Sequence, residues 1–85
     1  MDDQTLIDAF IDPDTDRYPG GQADARLRLS GISVWALIGY LRVVDGNVER
    51  AAQDYAVPLE AVQAALAYYR RHRSLIDARL LLNSA

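Results

Sequence analysis

The stretch VERAAQDYAVPLEAVQAALAYYRRHR, residues 48–73, decides the fold, because it has the spacing of two short helices joined by a three-residue turn. Ala52 is small at a point where the two helices must approach closely, and Val62 has the position of an inward-facing residue on the second helix. Ala56 begins the turn, and Pro58 suits the first turn of the next helix, where its missing N–H is tolerated. The pattern predicts a helix-turn-helix.

An earlier helix is indicated from Ser33 onward, where apolar residues recur at spacings of three and four. Its stripe consists of Val34, Leu37, Ile38, Leu41 and Val44. Either Ser30 or Ser33 can cap its start. Asp45-Gly46 ends it, because Gly46 tolerates the left-handed conformation found at helix ends. Asn47 can then cap the helix that follows.

The helix-turn-helix itself is predicted as a second helix over Val48–Tyr55 and a third from Pro58 to about Arg71. Ser74 can cap a fourth helix that runs from Leu75 to about Leu82. Nothing between Arg71 and Ser74 forbids a continuous helix, so the third and fourth could also form one long bent helix. These elements predict a mostly α fold, a small homeodomain-like bundle of four helices.

The N-terminal region has a different character. Residues 6–11 contain a short apolar cluster, and a loop rich in Asp, Pro and Gly runs from Asp12 to about Asp24. Arg26-Leu27-Arg28-Leu29 alternates polar and apolar residues, which is the period of a β-strand. It could pair with residues 7–11 as a short β segment, within one chain or between two. We therefore divide the chain into an acidic N-terminal arm and loop, residues 1–24, and a helical domain, residues 25–85.

Composition limits the class of protein. Eighty-five residues form one domain, and 51% hydrophobic with 25% charged residues is typical of a globular chain. No apolar run reaches the roughly 18 residues of a membrane-spanning helix. The opening MDDQTLIDAF is too acidic for a secretory signal, and the lack of cysteine excludes disulfides and thiolate metal sites. We expect a cytoplasmic protein.

The net charge of −3 conceals an uneven distribution. Residues 1–24 hold seven aspartates and one arginine, whereas residues 25–85 hold eight arginines and five acidic residues. The acidic segment can be a solvated arm that keeps the protein soluble. Alternatively, it can meet a basic partner or shield the basic face of the chain when DNA is absent.

Several short segments of the chain resemble one known family in their order and spacing. The segments are Ala25-Arg26-Leu27, Gly31-Ile32-Ser33-Val34-Trp35, Ala64-Ala65-Leu66-Ala67-Tyr68-Tyr69 and Ile76-Asp77-Ala78-Arg79. With the helix-turn-helix, they resemble the VapB-like antitoxin family, formerly catalogued as a domain of unknown function, the four-three-three family. The resemblance covers Arg26 to Asn83. It implies a homeodomain-like fold with a short N-terminal β segment, a toxin partner with a PIN-like nuclease fold, and binding to operator DNA.

The third helix should present a set of outward positions to a DNA groove. They are Leu59, Glu60, Gln63, Ala64 and Ala67. Of these, only Gln63 both donates and accepts hydrogen bonds at a base edge, where adenine is its usual partner. The two alanines could contact a thymine methyl group, or could simply suit a stable helix.

Contacts to the DNA backbone have more candidates. Arginines at helix ends can bind phosphates or can be solvated cations favoured by the helix dipole. These are Arg50, Arg70, Arg71 and Arg73. Arg26 and Arg28 could act as a minor-groove arm or ribbon, and Asn47 heads N–H groups that could hold a phosphate.

The leucine-rich C-terminus suggests contact with another chain. Leu80, Leu81 and Leu82 point across most of the circumference of a helix, so part of this apolar surface should meet a partner. We assign Trp35, Leu75 and Phe10 to the same partner or dimer interface. In the alternative interpretation, Leu80 packs inward and its neighbours are tolerated near a frayed end. A two-fold dimer is expected.

Other chemistry is sparse. Asp12, Asp14 and Asp16 have the spacing of the first calcium-loop ligands, but Arg17 stands where that loop needs glycine. His72 is the only histidine, too few for a zinc site. We therefore predict no enzyme activity, no cofactor and no metal. The predicted function is that of an antitoxin which neutralises a PIN-like nuclease toxin and binds operator DNA as a dimer. The alternative is a protein–protein interaction module on a helix-turn-helix scaffold without DNA binding.

Overall fold

The computed structural model describes residues 2–13 and 21–84, and these residues form five α-helices, one 3-10 helix and a two-stranded sheet. The helices are α1 (Asp3–Phe10), α2 (Val34–Val43), α3 (Val48–Tyr55), α4 (Leu59–Arg71) and α5 (Arg73–Ser84). The strands are β1 (Ile11–Asp12) and β2 (Arg26–Leu27), with the 3-10 turn at Gly21–Asp24. Among the described helices, none is both long and apolar enough to cross a bilayer. The mostly α prediction is confirmed, and the count of four helices is wrong.

The additional helix is α1, in the segment that we predicted to pair as a strand over residues 7–11. The Asp2 side chain accepts a hydrogen bond from the backbone N–H of Thr5 at 2.8 Å and so caps the helix. Leu6 and Ile7 are buried and Phe10 is half-buried, as expected for one face of a helix. Strand pairing begins only after α1 ends.

The β segment is short and lies within one chain. Ile11 pairs with Leu27 and Asp12 with Arg26, in antiparallel register. Ile11 has no exposed surface, so the acidic N-terminal segment contributes to the hydrophobic core as well as carrying charge. Two strands of this length are not stable alone in water. The helices beneath them must therefore supply the stability.

Helix α2 follows the predicted stripe. Val34, Leu37, Ile38 and Leu41 are buried, and Val44 is partly buried against the same core. Gly46 has a φ of 78°, as expected at this helix end. Ser33 occupies the N-cap position, but its side chain makes no capping hydrogen bond. The Ser30 hydroxyl instead accepts from the N–H of Ile32 at 3.3 Å, so the predicted serine cap is wrong.

Helices α3 and α4 are separate and are joined by residues 56–58, as predicted. Asn47 caps α3 by accepting from the N–H of Arg50 at 3.0 Å. Ala52 is 8% exposed and Val62 is fully buried, so both residues lie in the core where the two helices meet. Pro58 stands at the N-cap position of α4, one residue before the first helical turn.

The chain also breaks between α4 and α5, which rules out one continuous helix. His72 leaves the helical conformation with φ −129° and ψ 38°, and its N–H still bonds to the Tyr68 carbonyl at 3.0 Å. Because α5 begins at Arg73, Ser74 lies inside the helix and does not cap it. The predicted start of this helix was two residues too late.

The core is organised around α4, which contacts α1, α2, α3 and α5. Helix α1 packs mainly against α4, while α2 also contacts α3 and α5. Four alanines of α4 are buried, namely Ala61, Ala64, Ala65 and Ala67. Side chains this small let neighbouring helices approach closely, so α4 can be covered on several sides at once.

One turn residue offers a test of this arrangement. Ala56 ends α3 in the left-handed conformation, with φ 56° and ψ 46°. The left-handed conformation costs a residue with a Cβ roughly 1 kcal/mol of conformational energy, a cost that glycine does not have. We expect Ala56→Gly to raise the free energy of unfolding by about 0.5–1 kcal/mol in urea denaturation. Ala78→Gly, at an exposed position inside α5, should lower it by about 1 kcal/mol. If both substitutions lowered the free energy of unfolding by the same amount, the left-handed conformation at Ala56 would be contradicted.

Candidate nucleic-acid interface

The exposed surface of α4 is narrower than the sequence suggested. Gln63 and Arg70 are exposed and lie seven residues apart, so they share one face of the helix. Ala64 and Ala67, which we expected on the outside, are completely buried. They lie seven and four residues before Arg71, whose side chain donates to Gln4 of α1, and α1 packs against α4.

The N-terminus of α1 holds two of the predicted phosphate-binding arginines. One terminal nitrogen of Arg70 lies 3.3 Å from each carboxylate oxygen of Asp3, and Arg71 donates to the side-chain oxygen of Gln4. The Arg70 and Asp3 side chains are 52% and 43% exposed. Ion pairs this exposed contribute only about 0–1 kcal/mol, so another anion can displace Asp3. The start of the acidic segment thus contacts Arg70 through a carboxylate and Arg71 through a neutral amide.

Arg73 lies at the same end of α4, just after the break at His72. Its guanidinium carbon is 5.5 Å from the centre of the Tyr69 ring, within the range of a cation–π contact. With Arg70 and Arg71, it concentrates three cations around the α4–α5 junction. Such a cluster is suited to an anionic backbone and carries little sequence information.

The candidates on α3 have partners inside the chain. Arg50 donates through Nε to Asp54 at 2.9 Å, and the Tyr40 hydroxyl donates to the same carboxylate. The Tyr40 hydrogen bond, followed by that of Arg50, lowers the pKa of the Asp54 carboxyl group. The Asn47 side chain caps α3. Of these contacts, the Tyr40–Asp54 hydrogen bond joins α2 to α3, whereas those of Arg50 and Asn47 stabilise α3 itself.

Arg26 and Arg28 belong to the β segment and its turn and do not form an extended arm. Arg26 is half-buried in β2, where it pairs with Asp12 and bridges to Ser33. Arg28 is exposed, and its Nε donates to the Asp8 carbonyl at the end of α1 at 3.2 Å. Arg28 therefore lies on a different edge of the molecule from the α4–α5 junction.

The residues assigned to a partner interface divide into two groups. Leu80 packs inward against Gly39 of α2, the alternative that the sequence left open, and Trp35 is half-buried under the guanidinium of Arg79. Phe10 is half-buried at the end of α1. The exposed leucines of α5 are Leu75 (43%), Leu81 (74%) and Leu82 (72%).

Sequence reasoning missed a polar cluster that joins three helices. Asp77 of α5 accepts hydrogen bonds from Arg42 of α2 and from the hydroxyl of Tyr69 on α4, both at 2.8 Å. The Tyr69 hydroxyl lowers the pKa of the Asp77 carboxyl group, and Arg42 adds to this effect. The sequence signal was Asp77, the single acidic residue of α5. Its partners lie on other helices, with Arg42 standing 35 residues away along the chain, and could not be inferred.

Within residues 2–13 and 21–84, no three histidine, cysteine or acidic side chains are grouped so as to hold a metal ion. Asp14 and Asp16 of the calcium-like spacing lie outside the described residues. His72 is half-buried, with its ring 4.3 Å from that of Tyr68. Its surroundings are those of a packed aromatic residue.

Comparison with protein-family models, curated proteins and solved structures yields no match to this chain. The resemblance to the VapB-like antitoxin family therefore stays a hypothesis. Three geometric features bear on function: an exposed face on α4, a cation cluster at the α4–α5 junction, and contacts from the start of α1 to Arg70 and Arg71.

Proposed function

We propose that this protein is an antitoxin-like, helix-turn-helix DNA-binding protein, which contacts operator DNA as a dimer and neutralises a PIN-like nuclease toxin. The observation that carries the DNA part is the position of Gln63 and Arg70 on one exposed face of α4. The turn at residues 56–58 and the buried pair Ala52 and Val62 hold that helix against α3. The toxin part depends on the family resemblance.

In this proposal, phosphate contacts supply most of the affinity. Arg70, Arg71 and Arg73 are exposed around one helix junction, and each can bind a phosphate through a planar guanidinium. A phosphate that approaches Arg70 replaces Asp3 as its partner, an exchange that costs little because that ion pair is exposed. The acidic start of α1 then acts as a competitor that weakens binding to anions in general.

In this proposal, recognition of DNA bases depends on one side chain. Gln63 is the exposed polar residue in the middle of α4, and a glutamine amide can bind adenine through two hydrogen bonds. One base contact per chain gives weak discrimination. A two-fold dimer would place two such helices on the DNA and combine two weak binding events into a tighter one.

The test is a titration of DNA from upstream of the protein's own gene, followed by gel shift or fluorescence anisotropy over a range of salt concentrations. Affinity should fall steeply with salt, because binding releases counterions from the DNA. The double variant Arg70→Ala with Arg71→Ala should reduce the slope of log K against log salt by about one for each lost contact.

Arg42→Ala is the control for the loss of one exposed charge. Its side chain is 56% exposed on α2 and already donates to Asp77 and to the Tyr69 hydroxyl, so we expect no phosphate contact there. The slope should stay at the wild-type value. If the wild-type protein does not bind at low salt, about 50 mM, the DNA part of the proposal fails.

A second function has its own supporting observation. Leu81 and Leu82 are exposed on α5, and the candidate phosphate-binding arginines already have partners within the chain. Exposed apolar groups and engaged cations are typical of a scaffold for protein contacts. Co-purification with the product of a neighbouring gene, without any gel shift, would favour this alternative. A stable monomer that binds neither DNA nor that product would contradict both functions.

A further inference from the structure

Leu29 is the most exposed large hydrophobic residue that the structure describes, with 97% of its surface accessible. It lies in the turn after β2, where Gly31 has a φ of 74° and donates its N–H to the Leu27 carbonyl at 2.9 Å. This geometry presents the side chain to solvent. Burying a leucine fully is worth about 1.5–3 kcal/mol, so the exposed position gives up that stabilisation in an isolated chain.

A cavity of about 290 Å³ lies directly beside Leu29, which forms part of its wall. We call this cavity the Leu29 groove. Its other apolar walls come from the end of α1, from β2 and from the α3–α4 turn, and include Phe10, Leu27, Val57, Pro58 and Ala61. An exposed apolar side chain and an apolar cavity thus occupy the same patch of surface.

Charges of both signs surround the groove. Arg28 contributes to its wall and is exposed, and its Nε bonds to the backbone of Asp8. Glu60 is exposed between Pro58 and Ala61, which belong to the part of the wall formed by the α3–α4 turn and the start of α4. A surface that carries a cation at one part of a cavity wall and an anion beside another part can pair opposite charges with a copy of itself rotated by two-fold symmetry.

We propose that a second copy of this chain covers the Leu29 groove. Leu29 of each protomer enters the groove of the other across a two-fold axis, and Arg28 of each faces the partner's Glu60. An interface of this kind uses the same patch twice, which requires the protruding group and the cavity to be neighbours on one surface. The inference rests on the dimer of the proposed function and identifies its interface.

The contact proposed is a small one, formed by one leucine, one groove and one charge pair in each direction. Interfaces of this size are weak, and we expect a dimer with a Kd on the order of 10–100 µM. The leucines of α5 are the competing interface. Leu82 provides a matched control, because it is also a leucine and is 72% exposed.

Sedimentation equilibrium over a concentration series tests the proposal. Leu29→Asp should raise the dimer Kd by at least about tenfold, while Leu82→Asp leaves it unchanged. Both positions are exposed, so circular dichroism and thermal melting should report the same fold in both variants. A charge exchange provides an independent check: Glu60→Arg alone should weaken the dimer, and Glu60→Arg with Arg28→Glu should restore it.

Three results would overturn the inference: a wild-type monomer across the whole series, an unchanged dimer in Leu29→Asp, or dissociation caused by Leu82→Asp. If the double charge variant does not restore the dimer, the proposed Arg28–Glu60 contact is refuted, and so is the proposed orientation of the two copies. The gel shift measures DNA binding separately. Loss of this interface can therefore be distinguished from failure of the proposed function.

Discussion

Replacing Ile11 by alanine is expected to lower the free energy of unfolding by about 2–5 kcal/mol. Ile11 has no exposed surface and heads the fully buried side chains in size. It ends α1, pairs with Leu27 and lies in the segment that contacts α4. Alanine would lose the transfer energy of the missing methyl groups and leave a cavity between these elements. The whole domain should have a stability of only about 4–13 kcal/mol, so this single change removes a large part of it.

Urea denaturation followed by circular dichroism measures this effect. Val43→Ala is the control, because Val43 is apolar but 75% exposed on α2, and it should change the stability by less than about 0.5 kcal/mol. If the two substitutions had equal effects, the packing of the N-terminal segment against α4 would be refuted.

Replacing Arg79 by alanine should also have a large effect, about 1–3 kcal/mol. Its Nε lies 3.1 Å from a carboxylate oxygen of Asp24, and the two side chains are only 30% and 11% exposed. Its guanidinium also lies 4.7 Å from the centre of the Trp35 ring. Alanine would remove the cationic partner of a nearly buried carboxylate and uncover part of the indole.

Arg42→Ala offers a comparison within the same molecule. Its ion pair with Asp77 is shorter, at 2.8 Å, but the two side chains are 56% and 44% exposed. Solvent screening should keep its cost below about 1 kcal/mol. Thermal and urea unfolding of both variants would show whether burial or distance determines the loss of stability when each ion pair is removed. A larger loss for Arg42→Ala would contradict the view that burial decides the energy of these pairs.

The central helices could be predicted because their signals are local. The apolar stripe from Val34 to Val44 has the helical period, and Gly46 and Asn47 mark the boundary between two helices through backbone geometry and capping. Each signal acts within about one helical turn of the residue that carries it. Such signals are visible in a single sequence.

Helix α1 shows where this reasoning fails. An apolar run of four to six residues is ambiguous between strand and helix, and the alternation at Arg26–Leu27 favoured a ribbon. The signal for a helix was present in Asp2, three residues before Thr5, which is the spacing of an N-cap. The pairing of β1 with β2 is real, but it starts at Ile11 and joins only two residues of each strand.

The candidate interface depends still more on long-range contacts. Which arginines exist, and at which helix ends, follows directly from the sequence. Their partners do not: Asp3 is 67 residues away from Arg70, and only the packing of α1 on α4 brings the two together. Packing of the other helices on α4 also buries Ala64 and Ala67, which helical periodicity could equally place in a DNA groove.

The sequence by itself determined the types and approximate limits of α2, α3 and α4, because periodicity, caps and turns act between near neighbours. Tertiary structure alone decided which face of α4 stays exposed, which cations are covered by carboxylates, and that Leu29 stands beside a groove. Those outcomes depend on which surfaces meet after the chain has folded. Four helices pack against α4, and no local sequence pattern indicates which of them covers which of its faces.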